Sequence, residues 1–138
     1  MKNRFLVVHC LVSLFLGIIF YCLYDNTTVV TSAFYSMIGV ENHILDINSP
    51  ILYYIRLYGL DLIWAYSMWF GVAIVCFGFK GRIIISTIIT IACGTFLEIL
   101  QLFNIIYGTA DIFDVLSESL GVVIAILIYK KMKERIYK

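Results

Sequence analysis

The chain has 138 residues, of which 62% are hydrophobic and only 14% are charged, and its mean hydropathy is +0.98. Because a soluble domain has about 45–50% apolar residues, this composition predicts an integral membrane protein. The formal net charge of +1 gives no reason to expect a nucleic-acid partner, since binding to a phosphate backbone needs a basic face.

The first apolar stretch covers residues 5–24 and follows Lys2 and Arg4. It is longer than the ~7–15 apolar residues of a signal peptide, and no A-x-A-like cleavage site follows it. We therefore expect it to remain in the protein as the first membrane-spanning helix.

The segment 25–59 is predicted to be a loop on the membrane surface. Within it, Ser49 is a good N-cap and Pro50 suits the first position of a helix. We predict a short interfacial helix over 50–58, which leads through Gly59 into the second span. Such a helix would anchor the loop at the head-group level or, as the alternative, cover the mouth of a pocket.

Three further apolar stretches cover about 60–79, 83–103 and 112–129. Each is close to the ~17–25 residues that a helix needs to cross the hydrocarbon layer. Together with the first stretch they fill most of the chain and leave no room for a separate soluble domain. The predicted fold is therefore all-α, a single transmembrane domain over 1–138 that forms an integral membrane four-helix bundle.

The basic residues predict how this bundle is oriented, because Lys and Arg beside membrane spans favour the cytoplasmic side. Nine of the ten would share one side: Lys2, Arg4, Lys80, Arg82, Lys130, Lys131, Lys133, Arg135 and Lys138. Only Arg56 would lie on the other. Both termini are therefore expected in the cytoplasm, and the loops 25–59 and 104–111 are expected to face outward.

Polar side chains that are distant in sequence would meet at the outer ends of three helices in this topology. They are Asp61, Glu98, Gln101, Asp111, Asp114 and Glu118. Since a carboxylate in lipid costs at least ~2.5–3.5 kcal/mol, such residues usually face the interior of a bundle, water or a partner. These six residues form the predicted polar pocket.

Each of the six also has a purely structural interpretation. Asp111 and Asp61 could cap the helices that they precede, and Asp114 could favour the helix dipole. Gln101 could hydrogen-bond a neighbouring helix. A protonated carboxyl group in a buried hydrogen-bonded network is the alternative for Glu98 and Glu118. These two lie deepest in their spans.

Two carboxyl groups held close together in a low-dielectric site cannot both ionise cheaply, so one would keep a proton. Such a pair can act as acid and base, carry protons or hold a cation. Oxygen ligands without Cys or His nearby would suit Mg²⁺ or Ca²⁺ better than zinc. The residues do not choose among these roles, and no catalytic or metal-binding residue is assigned.

The segments "FLEILQLF" and "GTADIFDVLSESLG" resemble the VanZ-like family of small bacterial membrane proteins. In that family E-x-x-Q ends one span and D-x-x-D begins the next, followed by a polar residue and a glycine. The motif residues here are Glu98, Gln101, Asp111, Asp114 and Gly121. The resemblance covers about residues 59–129, where "GLDLIWAYSMWF" is similar to an earlier family segment that opens with Asp, here Asp61.

The chain departs from the family in three places. The His-Phe pair that is common after the early Asp is absent, with Trp64 and Ala65 in that neighbourhood. Gly108 stands where the family often has an arginine, and Glu118 stands where it often has an asparagine. Loss of the arginine removes the obvious donor for a phosphate or carboxylate ligand. The resemblance therefore gives less reason here to expect an anionic ligand.

The resemblance implies a multi-pass protein of the bacterial plasma membrane, and the founding member of the family is linked to resistance to the glycopeptide teicoplanin. We expect a non-enzymatic envelope factor that binds a lipid head group, a lipid-linked cell-wall precursor or a glycopeptide. The alternative is a membrane-embedded enzyme that uses Glu98 and Asp114 on a lipid-linked substrate. A proton-linked transporter is the third interpretation, although no inverted repeat is detectable.

Overall fold

The computed structural model of the protein describes residues 2–24, 36–37, 49–106 and 110–137. The described part of the chain forms four long helices: α1 (Lys2–Tyr24), α2 (Pro50–Val75), α3 (Arg82–Leu102) and α4 (Ile112–Tyr137). Helix α2 packs against the other three, and α3 also packs against α4. Most of the predicted surface loop 25–59 lies outside the described residues.

Three of the helices are long and apolar enough to cross a membrane. The candidate spans are Tyr53–Val75, Arg82–Leu102 and Ile112–Glu134. In α1 the apolar part is shorter and covers Arg4–Phe20. The all-helical prediction is therefore confirmed for the described residues, and three of their helices are fit to span a membrane, whereas the spanning role of α1 stays a prediction.

The interfacial helix predicted over 50–58 is not a separate element. It forms the first two turns of α2, which continues through Gly59 without a break. A glycine inside a helix costs only about 1 kcal/mol relative to alanine, so packing can override it. Phe20 of α1 lies beside Gly59, where an added Cβ would be 3.7 Å from the phenyl ring.

Short connections position the ends of the helices. Between α2 and α3 the chain turns at Gly78, whose φ of 96° favours glycine. After α3 the turn uses Asn104 with a φ of 53°, and the next amide, of Ile105, donates to the carbonyl of Leu100 at 2.9 Å. Asparagine is the usual substitute for glycine in such a helix stop.

The packing is inverted relative to that of a soluble protein. Large apolar side chains are exposed on the helix surfaces, for example Phe15, Ile84 and Leu127, each at 60% or more. Small or polar residues such as Ser86 and Ala125 are buried. Because lipid is as apolar as leucine, membrane helices associate through small residues that allow close approach.

One contact of this kind joins α4 to α2. The Cα of Gly121 lies so close to the carbonyl oxygen of Leu62 that an added Cβ would overlap it. The largest buried side chains, Trp69 and Phe70 of α2, lie further towards the Arg82 end and contact Tyr129 of α4 and His9 of α1, respectively.

Helices α1 and α2 are joined by polar contacts as well. The Nδ1 atom of His9 lies 2.5 Å from the hydroxyl of Tyr66, and the hydroxyl of Ser67 donates to the carbonyl of Cys10 at 3.1 Å. These bonds satisfy polar groups that would otherwise be costly in an apolar interface. The described contacts therefore give His9 a structural role.

Candidate functional site

The carboxyl groups singled out in the sequence meet at one end of helices α2, α3 and α4. Asp61 lies three turns into α2, Glu98 lies one turn before the end of α3, and Asp114 and Glu118 lie in the first two turns of α4. Asp111 immediately precedes α4. We call Asp61, Glu98, Asp111, Asp114 and Glu118 the carboxyl cluster.

Asp111 connects the three helices. Its backbone N–H donates to Oε2 of Glu98 at 3.0 Å, and its Oδ1 accepts the backbone N–H of Phe113 at 2.9 Å. Its other oxygen, Oδ2, accepts the hydroxyl of Tyr58 at 3.2 Å. The capping role considered for Asp111 is thus present, but it is combined with bonds to α2 and α3.

Asp61 and Asp114 lie on neighbouring helices, and each carboxyl group acts on the other electrostatically. Because carboxylates are acceptors only, a hydrogen bond between the two groups would require one shared proton. The capping role considered for Asp61 does not apply, since α2 begins at Pro50, eleven residues earlier.

Glu118 is the most deeply buried of the acids that the structure describes, with 7% of its surface exposed. Its charge interacts with those of Asp61, Glu98 and Asp114. The carboxyl group lies against Gly94 of α3, where an added Cβ would overlap it. Gly94 therefore provides the space in which Glu118 is held.

The sixth predicted residue, Gln101, makes no described hydrogen bond to the carboxyl cluster. Its Oε1 atom is buried and has no partner within the described part of the chain. The glue role considered for Gln101 is therefore not seen in the described contacts.

The electrostatics of the cluster are one-sided. Among the side chains that the structure describes, which do not include that of Arg56, the charged groups that act on Asp61, Asp114 and Glu118 are all carboxyl groups. The arrangement offers oxygen acceptors to a ligand that carries hydroxyl or ammonium donors. Within the described residues, no three His, Cys, Asp or Glu side chains are placed to hold a metal ion, so the structure gives no support to the Mg²⁺ or Ca²⁺ alternative.

Two residues of this site were not identified in the sequence. Tyr58 lies in the segment 50–58 that was predicted as an interfacial helix, although its position three residues before Asp61 places both on one face of a helix. Gly94 was not singled out, although it lies four residues before Glu98 and so on the same face. In both cases the spacing of three or four residues from an acidic residue would have indicated the position.

A substitution at Glu98 tests the hydrogen bond to Asp111. Glu98→Leu is expected to lower the free energy of unfolding by about 1–3 kcal/mol, because the amide of Asp111 loses its acceptor. Glu98→Gln retains an acceptor oxygen and is the control. Equilibrium unfolding in mixed dodecyl sulfate and dodecyl maltoside micelles measures both. Equal losses for the two variants would show that the bond contributes nothing.

Comparisons with known proteins add no family to this picture. No protein-family profile, no curated protein and no solved structure matches the chain.

Proposed function

We propose that the protein is a VanZ-like multi-pass protein of the bacterial plasma membrane, a four-helix bundle in which α1 also spans and both termini are cytoplasmic. Three candidate spans and the inverted packing support the membrane assignment. The motif residues of α3 and α4 support the family.

The two ends of the structure differ in charge in a way that supports this orientation. Arg82 at the start of α3 donates to the hydroxyl of Tyr129, and Lys130 follows directly. The carboxyl cluster lies at the opposite end of the same helices. A basic end favours the cytoplasm, which would place the carboxyl cluster at the outer leaflet.

We further propose that the carboxyl cluster binds the head group of a lipid or of a lipid-linked cell-wall precursor without changing it chemically. The observation that carries this proposal is the convergence of carboxyl groups from three helices, on which the described side chains, that of Arg56 not among them, place only further carboxyl charges. Ammonium and hydroxyl groups are donors that such oxygen acceptors bind. Phosphatidylethanolamine carries an ammonium group, and the sugar and peptide of a cell-wall precursor carry hydroxyl and amino groups.

Thermal unfolding in nanodiscs tests the binding. Protein in phosphatidylglycerol discs is compared with protein in the same discs containing either phosphatidylethanolamine or an undecaprenyl-linked disaccharide-pentapeptide. A ligand that binds only the folded state raises Tm. We expect one of the two probes to raise Tm and the Asp61→Asn, Asp114→Asn double variant to lose that rise.

The matched control is Glu134→Gln, which removes an exposed carboxylate at the other end of α4. It should keep the full rise in Tm. Absence of a rise with both probes, or an equal rise in the double variant, would contradict the binding proposal.

A second candidate is a membrane-embedded enzyme that uses Glu98 and Asp114 as acid and base. The electrostatic coupling of these two carboxyl groups favours it. Mass spectrometry of the lipid-linked precursor after incubation separates the two candidates. Turnover that disappears in Glu98→Gln while the rise in Tm persists would establish the enzyme, whereas an unchanged precursor would favour binding alone.

A role in teicoplanin resistance is supported by the family resemblance alone. Expression of the protein in a susceptible bacterium should raise the minimal inhibitory concentration of teicoplanin if the role applies. An unchanged value would remove the resistance role and would leave the proposal for the carboxyl cluster intact.

A further inference from the structure

An open groove of about 420 Å³ runs along α2 between α1 and α3. Its lining includes Leu14 of α1, Ile89 of α3, and Trp64, Met68, Val72 and Val75 of α2. At 3.6 residues per turn, these four α2 positions fall within about 80° of the helix circumference. One continuous face of α2 therefore forms the floor of the groove.

The floor of the groove is suited to hydrocarbon. Met68, Val72 and Val75 present only apolar side chains. At its edge the hydroxyl of Ser67 already donates to the carbonyl of Cys10 at 3.1 Å, which closes the contact between α1 and α2. A polar ligand would lose its hydrogen bonds to water on this floor without replacement, whereas an acyl chain has none to lose.

The length of the groove matches one leaflet of a bilayer. From Trp64 to Val75 the helix rises by about 16 Å. Half of a hydrocarbon core of ~30 Å is about 15 Å. Because Val75 is the last residue of α2, the groove reaches the same end of the structure as Arg82 and Lys130, which we call the basic end. It therefore has the length of one acyl chain of a lipid in the leaflet at the basic end.

A lysine stands where the groove reaches the basic end. Lys80 is exposed and lies in the turn that follows Cys76, a residue that lines the groove. The turn is tight, since the amide of Phe79 donates to the carbonyl of Cys76 at 3.2 Å. Lys80 is thus held within one turn of the mouth of the groove.

The charge around this mouth favours an anion. Arg4 is exposed at the same end of α1, where the next residue, Phe5, contacts Phe70 of α2. Among the acidic residues that the structure describes, only Glu134 lies at the basic end, and it belongs to α4, which contributes no described residue to the groove. Lys and Arg beside a membrane span attract anionic lipid head groups.

We propose that the groove binds one acyl chain of an anionic phospholipid from the leaflet at the basic end, with the lipid phosphate beside Lys80. Apolar contact along α2 holds the chain, and the charge at the mouth selects the head group. This site lies at the opposite end of α2 from the carboxyl cluster. The proposal does not depend on the ligand suggested for that cluster.

Fluorescence quenching of Trp64 tests the proposal, because this residue lines the groove and is 36% exposed. Full-length protein in phosphatidylcholine nanodiscs receives the same small fraction of phosphatidylglycerol or phosphatidylcholine, each brominated near the end of its acyl chains. The only other tryptophan, Trp69, is 0% exposed, and the Trp64→Phe variant measures its signal. We expect brominated phosphatidylglycerol to be enriched beside Trp64 about fivefold, the factor that one lysine contributes at a charged membrane surface.

Three variants separate the groove from the general charge of the basic end. Lys80→Gln removes the charge at the mouth, and Val72→Phe fills the groove, so each should abolish the preference for phosphatidylglycerol. Lys131→Gln is the matched control, because it removes an exposed lysine from the basic end of α4, outside the described lining of the groove. It should keep the full preference.

Equal quenching by the two brominated lipids in the wild type would overturn the proposal. A preference that survives in Val72→Phe or in Lys80→Gln would overturn it too, since the anionic lipid would then bind elsewhere. An equal loss in Lys131→Gln and Lys80→Gln would show attraction to the basic end as a whole and would equally contradict a site in the groove.

Discussion

Trp69→Ala is expected to lower the free energy of unfolding by about 3–5 kcal/mol, the range found for truncating a large buried aromatic residue. Trp69 is fully buried, and its indole N–H donates to the hydroxyl of Thr87 at 3.1 Å. Its ring also packs against Phe70 and Tyr129, with centroids 5.2 and 5.6 Å away. The substitution therefore removes contacts of α2 with both α3 and α4 at the same point. Equilibrium unfolding in mixed micelles measures it.

Trp64 is the matched control, because it lies on the same helix but is 36% exposed. Trp64→Ala removes the same side chain from a position that is only partly buried, so we expect a clearly smaller loss than at Trp69. Equal losses at the two positions would mean that α2 does not present the face described here to α3 and α4.

Gly121→Ala is expected to destabilise the protein by about 1–3 kcal/mol, the usual cost of inserting a methyl group into a packed site. The new Cβ would overlap the carbonyl oxygen of Leu62. Because that atom belongs to the backbone of α2, neither partner can rotate away, and the two helices must separate. The same unfolding measurement applies.

Gly71→Ala is not expected to lower the free energy of unfolding. Gly71 lies inside α2, but an added Cβ there would be 3.6 Å from the sulfur of Cys10, an ordinary contact. Alanine is a better helix former than glycine by about 1 kcal/mol, so this variant should be neutral or more stable. A loss at Gly71 as large as that at Gly121 would contradict the ordinary contact described between Gly71 of α2 and Cys10 of α1.

The helices themselves could be predicted from hydropathy because a span must be long and apolar. The predicted spans 83–103 and 112–129 overlap the candidate spans in α3 and α4 closely. The predicted start of the second span, at about residue 60, was wrong because Gly59 was treated as a helix boundary. The end of α2 was also placed too late, since the turn at Gly78 lies within the predicted span.

The convergence of acids could be expected from topology, but their hydrogen bonds could not. Apolar residues cover every side of these helices, so periodicity does not show which side faces a neighbour. The rotation of each helix about its own axis depends on close contacts such as the one between Gly121 and Leu62. This rotation determines the three hydrogen bonds of Asp111 and the position of Glu118 against Gly94.

The most direct test of the carboxyl cluster is a double-mutant cycle between Asp61 and Asp114. The free energy of unfolding is measured for Asp61→Asn, for Asp114→Asn and for both together. Because the two carboxyl groups act on each other electrostatically, we predict a coupling energy of at least about 0.5 kcal/mol. The control cycle pairs Asp61→Asn with the distant Glu134→Gln and should be additive. Additive effects in the Asp61 and Asp114 cycle as well would contradict a single shared site.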